Sequence, residues 1–171
     1  GSEGAYYYYD PDKKMAYLTG QSLSNSWALL ALLDGYEHFN DKSYLAAAEN
    51  IASYSLNNLY DWNSGAFFER NSEDAEFYAP SERVDLSKPY AENAVFAYGM
   101  VRLYLLTQKL EYLEAGLKTL GYLAERLSGL DETYYAIKAA ALATEDKLLD
   151  VYAAKEKELN DLVQQRKKKF F

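Results

Sequence analysis

Glu92 and Asn93 sit where a proline opens a helix and an apolar run continues it, in Lys88-Pro89-Tyr90-Ala91-Glu92-Asn93-Ala94-Val95-Phe96. The first turn of a helix leaves N–H groups without partners and carries a positive potential. Polar side chains placed there could bind the hydroxyls of a polyol or carbohydrate-like small molecule. The same residues have a purely structural alternative. Pro89 suits the first helical turn, Glu92 complements the helix dipole, and Asn93 turns into the core to bond backbone.

Other residues offer less. The acids Glu69, Glu73, Asp74, Glu76, Glu82 and Asp85 crowd one stretch. Paired carboxylates run glycoside hydrolysis when one is held protonated, but no spacing here fixes such a pair, and a solvated acidic loop explains them as well. Asp61-x-Asn63-x-Gly65 resembles the opening of a calcium loop, yet Ser72 stands where the bidentate Glu belongs; a β-turn is the simpler reading. His38 is the single histidine. It falls at the short loop of a helical hairpin and cannot build a metal site alone. With no cysteine in the chain, disulfides, thiolate metal sites and Cys nucleophiles are excluded. No catalytic residue, metal site or cofactor is assigned.

These residues need elements to place them. The 171 residues suffice for about one domain. A 49% hydrophobic composition supports a sizeable core, and 18 tyrosines suit either tight helical packing or a ring-lined polar groove. Residues 6–19 read as a β-hairpin turning at Asp10-Pro11-Asp12-Lys13. Residues 23–39 read as a helix capped by Ser24 or Asn25, and Asp41 starts the next, giving an antiparallel pair. Residues 61–88 break the pattern, with short strands at 66–69 and 76–78. A second helical pair, 90–107 and 110–128, repeats the first at an offset of 68: Asn25 matches Asn93, Tyr36 matches Tyr104, Tyr44-Leu45 matches Tyr112-Leu113, and Tyr54 matches Tyr122. A third pair covers about 131–143 and 145–168. Stacked hairpins of this kind bury a shared core. The expected fold is therefore all-α, an array of about three antiparallel helical hairpins with a small β-hairpin inserted. Its expected divisions are 1–19, a tag remnant and β-hairpin; 20–144, the helical-hairpin repeat; and 145–171, a C-terminal helix with a basic end.

Two stretches, 32–70 and 92–120, resemble the helical region of thioredoxin-domain proteins related to spermatogenesis-associated protein 20. The features are a Tyr-Leu helix, the Tyr60-Asp61 turn, the Gly65-Ala66-Phe67-Phe68 strand and a helix opened by proline and asparagine. That region is itself similar to N-acylglucosamine 2-epimerases and other toroids of six helical hairpins. The resemblance implies a partial α/α toroid. Where the family opens its helix with Pro-Ser-Gly-Asn, this chain has one extra residue, and Glu92 replaces the glycine. The epimerases transfer protons with histidines; His38 lies away from where a toroid's cavity would be, so that chemistry is not implied. In a toroid, Glu92 and Asn93 would line the mouth. Asn25, Trp27, Trp62 and Tyr90 complete the candidate ligand-binding set.

The formal net charge is −8, and residues 155–171 are themselves basic, so the rest carries −11. That balance argues against nucleic acid as a partner. The run Arg166-Lys167-Lys168-Lys169 could meet a membrane or an acidic partner, or serve as a helix end whose cations complement the dipole. The expected function is a non-catalytic binding or assembly domain of a larger protein, present as a monomer or weak homodimer. Its partner would be a carbohydrate-like small molecule or another domain of the same protein. The alternatives are a carbohydrate-active enzyme of epimerase or glycosidase type using acids of the 61–92 region, and an oligomerisation module. The cell compartment stays open.

Overall fold

The computed structural model describes residues 4–71, 87–126 and 130–145, together with 147, 148, 150, 151, 153, 154 and 157. The expected strand at 76–78, the acids from Glu73 to Asp85 and the basic C-terminal run lie outside them.

The first hairpin, β1 (Tyr8–Asp10) and β2 (Met15–Tyr17), pairs Tyr8 with Tyr17 and Asp10 with Met15. Its turn closes because Asp10 Oδ1 accepts the amides of Asp12 at 3.0 Å and Lys13 at 3.1 Å. Helix α1 (Ser22–Phe39) follows. Its N-cap is Gln21, which makes no side-chain cap bond, so neither Ser24 nor Asn25 caps. Asn25 instead lies inside the first turn, drawn away by backbone partners outside the helix. Helix α2 (Lys42–Asn58) starts as expected at Asp41, whose carboxylate accepts the Ser43 amide at 2.8 Å. Strands β3 (Tyr60–Asp61) and β4 (Ala66–Phe67) form a second small hairpin, after which come α3 (Tyr90–Thr107), α4 (Leu110–Ala124) and α5 (Leu130–Glu145).

The 68-residue repeat extends to the backbone. Asn40 ends α1 with φ 53°, and its N–H donates to the Tyr36 carbonyl. Gln108 ends α3 with φ 58° and donates to the Tyr104 carbonyl. The left-handed residue reverses the chain and satisfies an otherwise orphaned carbonyl. Lys147 repeats the conformation after α5, with φ 51°. Leu148 then returns to the core, and Val151 packs against it. His38 belongs to the last turn of α1 rather than to the loop; its ring meets Phe39 edge-on at 4.7 Å.

Helix α3 packs against α1, α4 and α5. This placement explains its composition. A helix surrounded on several sides is apolar nearly all round, and from Asn93 to Tyr104 every residue but Tyr98 is buried. Gly99 permits the close approach of α1, since a Cβ there would stand 2.7 Å from a Leu29 methyl. Arg102, buried among apolar neighbours, spans the same contact with ion pairs to Asp34 at 2.8 Å and Glu37 at 2.9 Å. Burial opposes its charge, but the hydrogen bonds to Glu37 and Asp34 more than compensate and raise its pKa. The tyrosine equivalents differ in exposure. Tyr104, Tyr112 and Tyr54 are buried, whereas Tyr36, Tyr44 and Tyr122 are half-buried; Tyr104 is covered because α3 packs against α1, α4 and α5.

Candidate functional site

Asn93 and Asn25 are both fully buried. The Asn93 amide donates to the carbonyls of Phe67 at 2.9 Å and Pro89 at 2.8 Å, and accepts the Phe67 N–H at 2.7 Å. Asn25 repeats the arrangement, accepting the Ala5 amide at 2.8 Å and donating to the carbonyls of Thr19 at 2.7 Å and Gln21 at 2.8 Å. Each side chain pairs with backbone as a neighbouring strand would, locking the segment before its helix to the helix start. Their contribution to a site is to fix the rim at the N-terminal ends of α1 and α3. The segment after β4 lies between those ends: Ser22 N–H donates to the Glu69 carbonyl at 2.8 Å, Asn71 N–H to the Gly20 carbonyl at 2.7 Å, and Glu69 N–H to the Ser87 carbonyl at 2.7 Å.

Glu92 and Tyr90 do share a concavity. A cavity of about 480 Å³ is lined by Ser87, Lys88, Pro89, Tyr90, Glu92 and Tyr122. The Tyr90 and Tyr122 rings lie 6.4 Å apart, and Arg126 covers the far side of Tyr122 at 4.2 Å. Lys88 is turned to the loop, where it pairs with Asp61 at 2.6 Å. Asp61 also accepts Ser64 Oγ at 2.8 Å and the Asn63 amide at 3.0 Å. These hydrogen bonds, that of Lys88 first, hold the carboxyl at a pKa of about 2. The calcium-like stretch is thus a turn whose cation is Lys88. Among the described residues no group of three or more His, Asp and Glu could hold a metal ion, and no helix is long and apolar enough to cross a membrane.

The two tryptophans part company. Trp62, on the β3–β4 turn, meets Tyr60 edge-on at 4.7 Å and lies under Lys118. Trp27 projects from α1 with 46% of its surface exposed and meets Tyr135 of α5 edge-on at 5.5 Å. Tyr135 also lies 5.8 Å from Tyr98 of α3 and 5.0 Å from Tyr134. Helices α1 and α5 both pack on α3, and Trp27 of α1 meets Tyr135 of α5 where Tyr135 also reaches Tyr98 of α3. Lys138 stands above these rings, 4.6 Å from the Tyr98 centroid, 5.4 Å from Tyr134 and 5.9 Å from Tyr135. Its hydrogen bond to Tyr98 raises its pKa. Sequence reasoning singled out Trp27 but missed Tyr98, Tyr134, Tyr135 and Lys138. A signal existed: Tyr134, Tyr135 and Lys138 lie within little more than one turn of a single helix. What α5 faces, however, is decided by packing.

Comparison with known proteins places the fold. No family model matches the chain, and no curated protein matches it. Solved structures do. A GH76 α-mannanase from Bacteroides thetaiotaomicron superposes with a TM-score of 0.61 at 16% identity, over 78% of this chain and 38% of that one. An unsaturated glucuronyl hydrolase from Bacillus sp. GL1, described as responsible for the degradation of glycosaminoglycan, gives 0.53 at 16% identity, over 77% and 37%. The chain therefore spans well under half the length of the structures it matches. At this identity the likeness is one of fold, and it makes the array of hairpins a partial α/α toroid. The likeness to thioredoxin-domain proteins goes no further than that shared helical architecture.

Proposed function

We propose that the chain is a saccharide-binding part of a carbohydrate-active α/α toroid, and that the aromatic cluster of α1, α3 and α5 takes the sugar. The observation that carries this reading is the ring set Trp27, Tyr98 and Tyr135, contributed by three helices to one contiguous cluster. Aromatic faces carry a negative quadrupole, which attracts the polarised C–H face of a pyranose. Tyrosine hydroxyls and Lys138 supply the directional polar groups that such sites need. Both solved neighbours bear glycosidase names, which supports the carbohydrate-active alternative over a purely structural module. Asn25 and Asn93 act in this reading by holding the rim; Glu92 and Tyr90 flank it, and Trp62 lies apart from it.

Hydrolysis by this chain alone is not proposed. Glycoside hydrolysis needs two carboxyl groups set about 5–10 Å apart across the scissile bond. Glu92 is the single carboxylate among the lining residues of its cavity, and Asp61, with its pKa near 2, stays ionised and serves Lys88. Another domain, or a second copy, is the partner we propose to complete the toroid.

Trp27 makes the reading testable. In a Trp62→Phe background, its emission is followed while mannotriose, a glucose trisaccharide or a glucuronate trisaccharide is added. A saturable change with at least one of them, lost in Trp27→Ala with the thermal melt kept, is the expected outcome. No change with all three sinks the reading. Turnover of a saccharide by the chain, abolished by Glu92→Gln, would promote it to an enzyme in its own right.

A further inference from the structure

Two cations reach the Tyr98 ring, and they differ in one respect. Arg102 lies 5.2 Å from its centroid but spends its charge on Asp34 and Glu37. Lys138 has no carboxylate within ion-pair distance among the described residues; rings surround it instead. Cation–π contact offsets part of an ammonium's lost hydration, but it supplies no counter-charge. In a chain of net charge −8, a lysine set among aromatic rings with no acid beside it among the described residues leaves one positive charge for something that arrives from outside.

Resting on the saccharide reading above, we propose that this cluster selects an acidic sugar. The carboxylate of a uronate residue pairs with Lys138, and its ring lies against Tyr135 and Trp27. The geometry suits that division of labour. Lys138 lies over the Tyr98 and Tyr134 rings, which narrows the positions of its ammonium before the ligand comes. Trp27 and Tyr135 meet at 86°, which leaves the exposed Trp27 face open for stacking. A neutral sugar gains the stacking and hydroxyl contacts but leaves the ammonium uncompensated. A charge-assisted hydrogen bond is about twice as strong as a neutral one. The preference therefore lies with the acid, and it weakens as salt screens the pair.

The test compares a glucuronate trisaccharide with its neutral glucose counterpart, by isothermal titration of the full chain at low and high salt. The expected result is binding of both, with the acidic sugar tighter by about tenfold or more and the gap narrowing with salt. Lys138→Met removes most of the gap, weakening the acidic sugar far more than the neutral one, and Lys138→Arg restores most of it. Equal affinities in the wild-type chain, or a preference that survives Lys138→Met, overturn the acidic selection while leaving the saccharide reading intact. Glucuronate binding that is indifferent to Trp27→Ala overturns it too, because the ligand then sits elsewhere. Should neither sugar bind, the acidic selection falls, and the saccharide reading falls with it when mannotriose gives no change either. The comparison of the two sugars on the wild-type chain decides the matter even if Lys138→Met fails to fold.

Discussion

Asn93 and Phe67 are joined twice through one side chain: Asn93 Oδ1 accepts the Phe67 N–H at 2.7 Å, and Asn93 Nδ2 donates to the Phe67 carbonyl at 2.9 Å. Phe67 is fully buried and stacks on Phe96 with 3.9 Å between centroids, so water cannot take over either bond. Asn93→Ala leaves both Phe67 backbone groups without partners. Each orphaned group costs about 1–3 kcal/mol, and urea unfolding of the variant should show a loss of roughly 2–5 kcal/mol. Asn25→Ala, whose bonds are part-buried, should lose less. Values below 1 kcal/mol for Asn93→Ala would mean that β4 is not held by this residue.

The repeat makes Tyr104 and Tyr36 equivalent, but their surroundings separate them. Tyr104 is 5% exposed, whereas Tyr36 is half-buried on a terminal pair. Truncating a large buried aromatic costs roughly 3–5 kcal/mol, so Tyr104→Ala should approach that range and Tyr36→Ala should fall clearly short of it. Equal losses in chemical denaturation would show that α3–α4 is not the inner pair.

Asp61 ties the β3–β4 turn to Lys88, and the pair gives stability a defined pH response. The folded carboxyl has a pKa of about 2, below the usual 3.9 or so of an unfolded aspartate. A depressed folded pKa means that the contribution is complete above about pH 4 and is lost as pH falls toward 2. The pair is partly solvated, so screening trims its value. Asp61→Asn should cost about 1–2 kcal/mol at pH 7, with the two stability curves converging near pH 2. Parallel curves across that window would rule the pair out as the cause.

Gly65 closes the same turn at φ 73°, with the Lys118 carbonyl 3.1 Å from where a Cβ would stand. An alanine there is strained by both conformation and contact. Gly65→Ala should lower stability by about 1–2 kcal/mol and disturb Trp62 fluorescence, since Lys118 covers that ring. A stabilised variant would contradict the left-handed turn.

Much of this architecture is local chemistry written twice. Asparagine four residues after the residue that precedes α1 and α3, tyrosine four residues before the left-handed caps of those two helices, and Asp41 before α2 all act within one turn of their own helix. A sequence read alone therefore yields the hairpins, their lengths and the offset of 68. The identity of the first cap escaped it, because Gln21 has no capping side-chain bond and Ser24 and Asn25 are the residue types that normally supply one.

Residues far apart in the chain were decided by tertiary structure. Trp27 and Tyr135 are separated by 108 positions, and no periodicity relates them. They meet because Gly99 lets α1 close on α3 and because α5 also packs on α3, bringing Tyr135 to Tyr98. The same packing leaves Lys138 among rings instead of beside an acid. Helical spacing tells which residues share one helix face. Which faces meet in one site depends on how three helices bury their apolar sides against one another, a property of the whole core that no single window of sequence contains.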